Sequence, residues 1–120
     1  MRSAAIRATR LAGAALCALV LTGCATRPEP LYYWGNYQGQ VYAYFKGDTA
    51  PEEQILALEA ELEKARAKGK RPPPGYHAHL AMLYGKTGRT DRLQQHLEAE
   101  KAQFPESAPF MDFLLKKIAP

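Results

Sequence analysis

The sequence predicts an all-α fold, a short antiparallel stack of helices in one small domain. Apolar residues recur at three- and four-residue spacing from Ile55 to Ala65, which places them on one face of a helix. Proline and glycine stand where helices would begin and end. No segment offers the second alternating run that a partner strand would need. The chain of 120 residues is long enough for one modest hydrophobic core.

Residues 1–23 have the order of zones that is typical of a bacterial export signal. Arg2, Arg7 and Arg10 precede an apolar stretch over residues 11–21, and no acidic residue occurs before Cys24. This stretch is too short to span a hydrocarbon core, which needs about 20 residues. We therefore expect a cleaved signal and not a permanent transmembrane helix.

The tetrapeptide Leu21-Thr22-Gly23-Cys24 resembles the lipobox of bacterial lipoproteins. The resemblance implies cleavage before Cys24, a diacylglyceryl thioether on its sulfur and an N-acyl chain such as palmitate, and more than one acyl chain anchors a protein stably. Ala25 in place of an aspartate favours the outer membrane by the sorting rule of enterobacterial lipoproteins, with the domain on the periplasmic face. A plain secretory signal with an incidental cysteine is the alternative.

Removal of the signal changes the charge of the protein. The whole chain has a formal net charge of +4, but three arginines lie in the signal, which leaves a mature charge of about +1. This near neutrality removes the main support for a nucleic-acid partner. Cys17 leaves with the signal and Cys24 carries the lipid, so no thiol remains for a disulfide.

Residues 24–30 form a short, proline-bearing segment that we interpret as a lipidated tether to a domain over residues 31–120. Aromatic side chains are concentrated at the start of this domain. Tyr37, Val41 and Phe45 have helical spacing, although the same segment also alternates as a strand would. Because the domain offers no partner strand, we expect a short helix here.

The next helix is predicted over residues 49–68. Thr49 with Glu52 three residues later matches a capping box, and Pro51 is tolerated in the first turn of a helix. The apolar stripe from Ile55 to Ala65 would face the core. Gly69 ends the helix, and the three prolines that follow predict a stiff, extended spacer.

Residues 74–107 resemble a single tetratricopeptide repeat. The matching residues are Leu80, Ala81, Tyr84, Gly88, Leu93, Leu97 and Pro105. The resemblance implies antiparallel helices over residues 76–87 and 90–104, with the second capped by Thr90 or Asp91. Leu93 departs from the pattern, which usually has alanine at this position.

The segments on either side of the repeat would bury its two faces in a right-handed stack of four or five helices. The preceding helix is the one predicted over residues 49–68. The following segment, residues 107–118, would contribute Phe110, Phe113, Leu114 and Ile118.

Nearly all of the mature chain is similar to an uncharacterised family of small proteobacterial lipoproteins. The motifs that carry the resemblance are Tyr33-Trp34-Gly35-Asn36-Tyr37, Pro51-Glu52-Glu53, Pro73-Pro74-Gly75-Tyr76-His77-Ala78-His79-Leu80, Phe104-Pro105-Glu106-Ser107 and Phe110-Met111. Members of this family are encoded beside a lipoprotein related to the curli-secretion pore CsgG and a second small lipoprotein. The resemblance implies a role in an outer-membrane assembly and no enzymatic activity.

The polar residues predict neither a metal or cofactor site nor a catalytic centre, and no small-molecule substrate is evident. His77 and His79 point away from each other on a helix, and His96 lies one helix later. No glycine-rich elbow surrounds Ser107. The glutamates alternate with basic residues as on a solvated helix face, and they are Glu52, Glu53, Glu59, Glu61, Glu63, Glu98 and Glu100.

The aromatic segment is the predicted partner-binding site, because tyrosine and tryptophan are enriched at interface hot spots. Its residues are Tyr32, Tyr33, Trp34, Tyr37 and Tyr42. The same residue types favour the membrane interface, and the segment begins shortly after the lipidated cysteine. It would therefore contact either a protein or the lipid headgroups.

Three hypotheses for the function follow from the sequence. The first is a lipid-anchored, non-enzymatic interaction module that assists the assembly or stability of an outer-membrane complex, with a CsgG-related lipoprotein as its partner. The second is a regulator of a peptidoglycan-synthesis enzyme. The third is a small periplasmic hydrolase that uses His79 or His96 with a nearby carboxylate, which requires these side chains to converge in an accessible cleft.

Overall fold

The computed structural model describes residues 28–118, which contain five α-helices and no strand. The predicted all-α class is therefore confirmed. The helices are α1 (Tyr37–Lys46), α2 (Pro51–Ala67), α3 (Tyr76–Lys86), α4 (Thr90–Gln103) and α5 (Ala108–Ile118), and a 3₁₀ turn (Pro105–Ser107) precedes α5. The signal and Cys24 lie outside the described residues. Within the described part, no helix is long and apolar enough to cross a membrane.

The helix ends follow the glycines more closely than the predicted caps. Gly47, Gly69 and Gly88 adopt the left-handed conformation after α1, after α2 and between α3 and α4. The predicted capping box at Thr49 is wrong, because α2 begins at Pro51 and its N-cap is Ala50. The fixed φ of proline suits the first helical position, so Thr49 lies one residue too early to cap.

The prediction that Thr90 or Asp91 caps α4 is also wrong. The N-cap is Arg89, which makes no side-chain capping bond, and Thr90 and Asp91 occupy the first turn of the helix. Asp91 there still meets the positive end of the helix dipole favourably.

The first part of the core lies between α2 and α3. Its buried residues are Ile55, Leu58, Leu62, Tyr76, Leu80, Leu83 and Tyr84. The Tyr76 hydroxyl donates a hydrogen bond of 2.8 Å to the carbonyl of Leu58, which satisfies the one polar group that this ring brings into the core. The predicted stripe of α2 is thereby confirmed, including Ala65 at 2% exposure.

Leu93 connects this part of the core to the second, which consists of Ala81, Leu97 and Met111. A Cβ at Gly85 would approach Leu93 Cδ1 to 2.8 Å. The leucine that departs from the repeat pattern therefore fits because the residue opposite it has no side chain. At this contact the small residue lies on α3 and the large residue on α4.

Glu100 of α4 caps α3 from across the hairpin. Its carboxylate accepts hydrogen bonds from the backbone N–H groups of Gly75 at 2.6 Å, His77 at 3.1 Å and Ala78 at 3.4 Å. These groups have no partner inside the helix, and a negative charge is favourable at a helix N-terminus. With 2% of its surface exposed, Glu100 is not part of the solvated face that the sequence predicted.

Leu114 and Ile118 of the last helix pack as expected, whereas Phe110 and Phe113 do not. Met111 is buried, and Leu114, Leu115 and Ile118 pack against the second part of the core. Phe110 and Phe113 remain exposed, so their predicted burial is wrong. The reason is the register of α5, since Met111, Leu114, Leu115 and Ile118 recur at three- and four-residue spacing and share one face.

Candidate functional site

An apolar groove runs between α1, α3 and α5. Its volume is about 530 Å³, and its lining residues are Tyr37, Val41, Phe45, Gly75, Ala78, His79, Ala81, Met82, Leu93, Leu97, Phe110, Leu114, Lys117 and Ile118. Two side chains at its edge are strongly exposed, Phe45 at 80% and Phe110 at 58%. A contiguous apolar surface of this kind on a small protein is typical of an interaction site.

Two lining residues give the groove polar character. His79 is buried, and its Nε2 atom has no hydrogen-bond partner within the described part of the chain. Burial lowers the pKa of His79, so its imidazole is neutral at pH 7. Lys117 is the one charged residue among the lining residues, which include no carboxylate.

The predicted partner-binding residues Tyr32 and Tyr33 hold the start of the domain in place. The Tyr32 ring packs edge-on against Phe104, with the ring centroids 5.8 Å apart. Tyr33 donates through its backbone N–H to the carbonyl of Arg71 at 2.8 Å and through its hydroxyl to Glu61 Oε2 at 2.8 Å. These contacts give both tyrosines a structural role.

The other three predicted residues have different environments. Tyr37 lines the groove, and its ring lies 4.8 Å from the ring of Tyr76. Trp34 is 44% exposed and packs against Tyr37. Tyr42 is largely exposed and is not a lining residue. The structure thus brings only Tyr37 of the five into the groove.

Sequence reasoning missed the groove residues of α3 and α5. Val41 and Phe45 follow Tyr37 at four-residue spacing, so this edge carried a helical signal. Met82 and Phe110 carried none, because an apolar residue on a helix can equally face the core.

A second concave site, the polar cavity, lies between α2, the proline connector and α4. Its volume is about 540 Å³, and its lining residues are Glu59, Leu62, Glu63, Ala65, Arg66, Lys70, Arg71, Pro72, His77, Arg92, Gln95, His96, Ala99 and Gln103. His77 belongs to α3, whereas its neighbours Ala78 and His79 line the apolar groove. The two sites therefore lie on separate faces of α3.

A chain of hydrogen bonds runs along the wall of the polar cavity. Gln103 Nε2 lies 3.1 Å from His77 Nε2, the two Nδ1 atoms of His77 and His96 are 2.9 Å apart, and His96 Nε2 lies 3.2 Å from Glu59 Oε1. One assignment satisfies every link: Gln103 donates to His77, His77 donates to His96, and His96 donates to the carboxylate. Both imidazoles are neutral in this arrangement.

The electrostatics agree with neutral imidazoles beside an ionised carboxylate. Burial, followed by the nearby His96, lowers the pKa of His77 to about 4. Burial also lowers the pKa of His96, against the attraction of Glu59. Burial alone would raise the pKa of Glu59, but hydrogen bonds from Tyr84 and His96 and the charge of Arg92 lower it overall.

The geometry bears on the hydrolase hypothesis in two ways. His96 and Glu59 do converge, whereas His79 lies on the groove side of α3. The described lining of the polar cavity contains no serine, threonine or cysteine that could act as a nucleophile. Residues 28–118 also contain no group of three ligands that could hold a metal ion.

The chain matches a known protein family over most of its length. A family model described as a domain of unknown function (DUF4810) matches residues 31–114, which comprise α1 to α4 and most of α5. No curated protein and no solved structure matches the chain significantly.

Proposed function

The chain belongs to the DUF4810 family, a domain of unknown function, and from this premise we propose that it is a lipid-anchored, non-enzymatic protein-interaction module of the bacterial cell envelope. The lipobox-like sequence ending at Cys24 supports the anchor. The resemblance to lipoproteins encoded beside a CsgG-related lipoprotein supports that protein as the partner. The module would assist the assembly or stability of an outer-membrane complex.

The apolar groove is the observation that carries the proposal. Phe45, Met82 and Phe110 expose apolar surface around a concavity whose lining is almost entirely apolar. Leaving such side chains in water costs about 25 cal/mol for each Å² of apolar surface that a partner could cover. Large, exposed aromatic anchors beside a pocket are the features that dominate binding energy at protein interfaces.

The partner segment is an amphipathic helix that carries acidic residues. Helices α1 and α3 run in the same direction, because Tyr37 packs on Tyr76 at their starts and Lys86 lies 4.3 Å from the Tyr44 ring near their ends. Their last turns hold Lys46 and Lys86, and that of α5 holds Lys116 and Lys117.

This arrangement places lysines at the ends of α1, α3 and α5, three of the helices that line the groove, and the lining residues include no carboxylate. Complementary charges on a partner would favour its encounter and fix its register. His79 Nε2 adds a hydrogen-bonding atom without a partner in the described part of the chain, which acts as donor or acceptor according to the tautomer of the imidazole. Apolar anchors flanked by charges are typical of helix-in-groove recognition.

Site-specific photocrosslinking in intact envelopes tests the proposal. The crosslinker replaces Phe45 or Phe110 at the groove, or Leu56 as a control, since Leu56 of α2 is 73% exposed and lies outside the groove. We expect the two groove positions to give the same protein adduct, joined at an apolar segment with acidic neighbours, and the Leu56 position to give none. The Lys117→Glu variant should weaken the adduct.

The identity of the adduct discriminates between the candidates. A CsgG-related lipoprotein supports the proposed role, whereas a peptidoglycan synthase would replace it with the regulatory role. Crosslinks to phospholipid alone would show that the groove faces the bilayer. Equal protein adducts from Phe45, Phe110 and Leu56 would contradict a specific groove.

A further inference from the structure

The polar cavity carries an inference that is independent of the apolar groove. It has the size of a small-molecule site, since about 540 Å³ falls within the range of about 300–1,000 Å³ that is usual for such pockets. A site of this size accepts a compact ligand and not a folded partner.

The charge of the cavity favours an anion. Four cationic side chains, Arg66, Lys70, Arg71 and Arg92, stand against the carboxylates of Glu59 and Glu63. Each carboxylate already pairs with an arginine, Glu63 with Arg66 at 2.5 Å and Glu59 with Arg92 at 3.0 Å. Once these two pairs are formed, Arg71 adds a positive charge that no carboxylate of the lining balances.

Arg71 is the residue best placed to use this excess. Its guanidinium lies 5.9 Å from the centroid of the Phe104 ring, and it has no carboxylate partner among residues 28–118. A guanidinium presents N–H groups in a planar fork that matches the two oxygens of a carboxylate or phosphate. Because the Phe104 ring lies against the face of the guanidinium, the N–H groups at its edge stay available to a ligand.

Another wall of the polar cavity is held in place by hydrogen bonds before any ligand binds. The Gln103–His77–His96–Glu59 chain is hydrogen-bonded throughout, and His77 and His96 are 8% and 5% exposed. Two buried polar atoms on this wall lack partners in the described part of the chain, Arg92 Nε and Gln103 Oε1. Each is a hydrogen-bonding group that a polar ligand could satisfy after a small side-chain rotation.

We propose that the polar cavity binds a small anionic molecule, whose carboxylate or phosphate group is held by Arg71. Polar groups of the ligand bond to the Gln103 and Arg92 wall. Metal ions are not the ligand, because the imidazole nitrogens of His77 and His96 already bond to each other and to Gln103 and Glu59.

The test is a titration of the domain over residues 24–120, followed by NMR, with citrate and pyrophosphate as probes. Sodium chloride at matched ionic strength is the reference. We expect at least one probe to give saturable shifts with a Kd below about 1 mM, concentrated at Arg71, His96 and Gln103. Citrate tests the carboxylate arm and pyrophosphate tests the phosphate arm.

Two matched variants make the outcome specific. Arg71→Gln should weaken the bound probe at least about tenfold, because it removes a charge-assisted fork. Arg89→Gln removes the same charge from an exposed arginine outside the cavity and should leave the Kd unchanged. Circular dichroism and the melting temperature verify that both variants fold. Absence of saturable shifts with either probe, or equal weakening by both variants, would overturn the proposal.

Discussion

At the scale of single residues, the contact between Gly85 and Leu93 sets how closely α3 and α4 approach. The absent side chain of Gly85 leaves room for Leu93, which packs against both parts of the core. A methyl group added at Gly85 has little space, because Leu93 is held from two sides. The pair therefore acts as one packing unit.

A double-mutant cycle measures this unit. Gly85→Ala gains up to about 1 kcal/mol of helix propensity but overpacks the site, and we expect a net loss of about 1 kcal/mol. Leu93→Ala should cost about 2 kcal/mol. The double variant should lose about 1 kcal/mol less unfolding free energy than the two single variants lose together, because the clash at Gly85→Ala disappears when Leu93 is shortened. Urea denaturation gives these values, and strictly additive losses would contradict the interpretation.

Glu100 offers a second prediction at this scale. Glu100→Gln removes the charge that meets the N-terminus of α3, and we expect a loss of about 1–2 kcal/mol of unfolding free energy. Hydrogen exchange should become faster at the Gly75 and His77 amides. The control is Glu98→Gln, whose exposed carboxylate pairs with Lys101 and should contribute less than about 0.5 kcal/mol. Equal losses would argue against the cap.

At the scale of elements, the helices were predictable because their signals are local. Apolar spacing fixed the buried face of α2, and Gly69 and Gly88 marked ends and turns that the structure confirms. The caps were less predictable, since Pro51 moved the start of α2 past Thr49. The face of α5 was ambiguous because both Phe110 and Met111 are apolar, and only packing decides which of them is buried.

The register of α5 gives a prediction at this scale. Met111→Ala should cost about 2–4 kcal/mol, because Met111 is 3% exposed between α4 and α5. Phe113→Ala should cost less than about 1 kcal/mol despite the larger side chain, because Phe113 is half exposed. Thermal unfolding followed by circular dichroism compares the two variants. A larger loss from Phe113→Ala would show that α5 packs on its other face.

The polar cavity depended on long-range pairing that the sequence did not display. Glu59 and His96 lie on helices separated by the connector and α3, and no local pattern links them. Counting outward from the turn at Gly88 does place Glu100 opposite the start of α3, so that this cap carried a usable signal. The alternating charges around Glu100 concealed it, because the same pattern is typical of solvated faces.

At the scale of the whole molecule, the buried imidazoles make stability depend on pH. The pKa of His77 falls from an ordinary 6.5 to about 4 in the folded protein, so the unfolded chain binds the proton first as the pH decreases. The contribution of His77 is therefore complete above about pH 6.5 and is lost as the pH falls towards 4. His96, whose pKa is also lowered, acts in the same direction.

Unfolding free energies at several pH values test this dependence. Between pH 7 and pH 4 we expect the wild type to lose about 3 kcal/mol through His77. His77→Gln should be less stable at pH 7 but should have a flatter profile between pH 6.5 and pH 4.5. Glu59, whose pKa is lowered, adds to the loss of stability only below about pH 4.5, where its carboxylate in the unfolded chain takes up a proton. Parallel profiles for the two proteins would contradict neutral burial of His77.

The close contact between Gly85 of α3 and Leu93 of α4 also limits how this hairpin can be recombined. Here a second helix with alanine at position 93 would leave a void beside Gly85, and a first helix with a side chain at position 85 would collide with Leu93. The two helices of this hairpin are thus a matched pair, because replacing either one would require a compensating change at position 85 or 93 of the other.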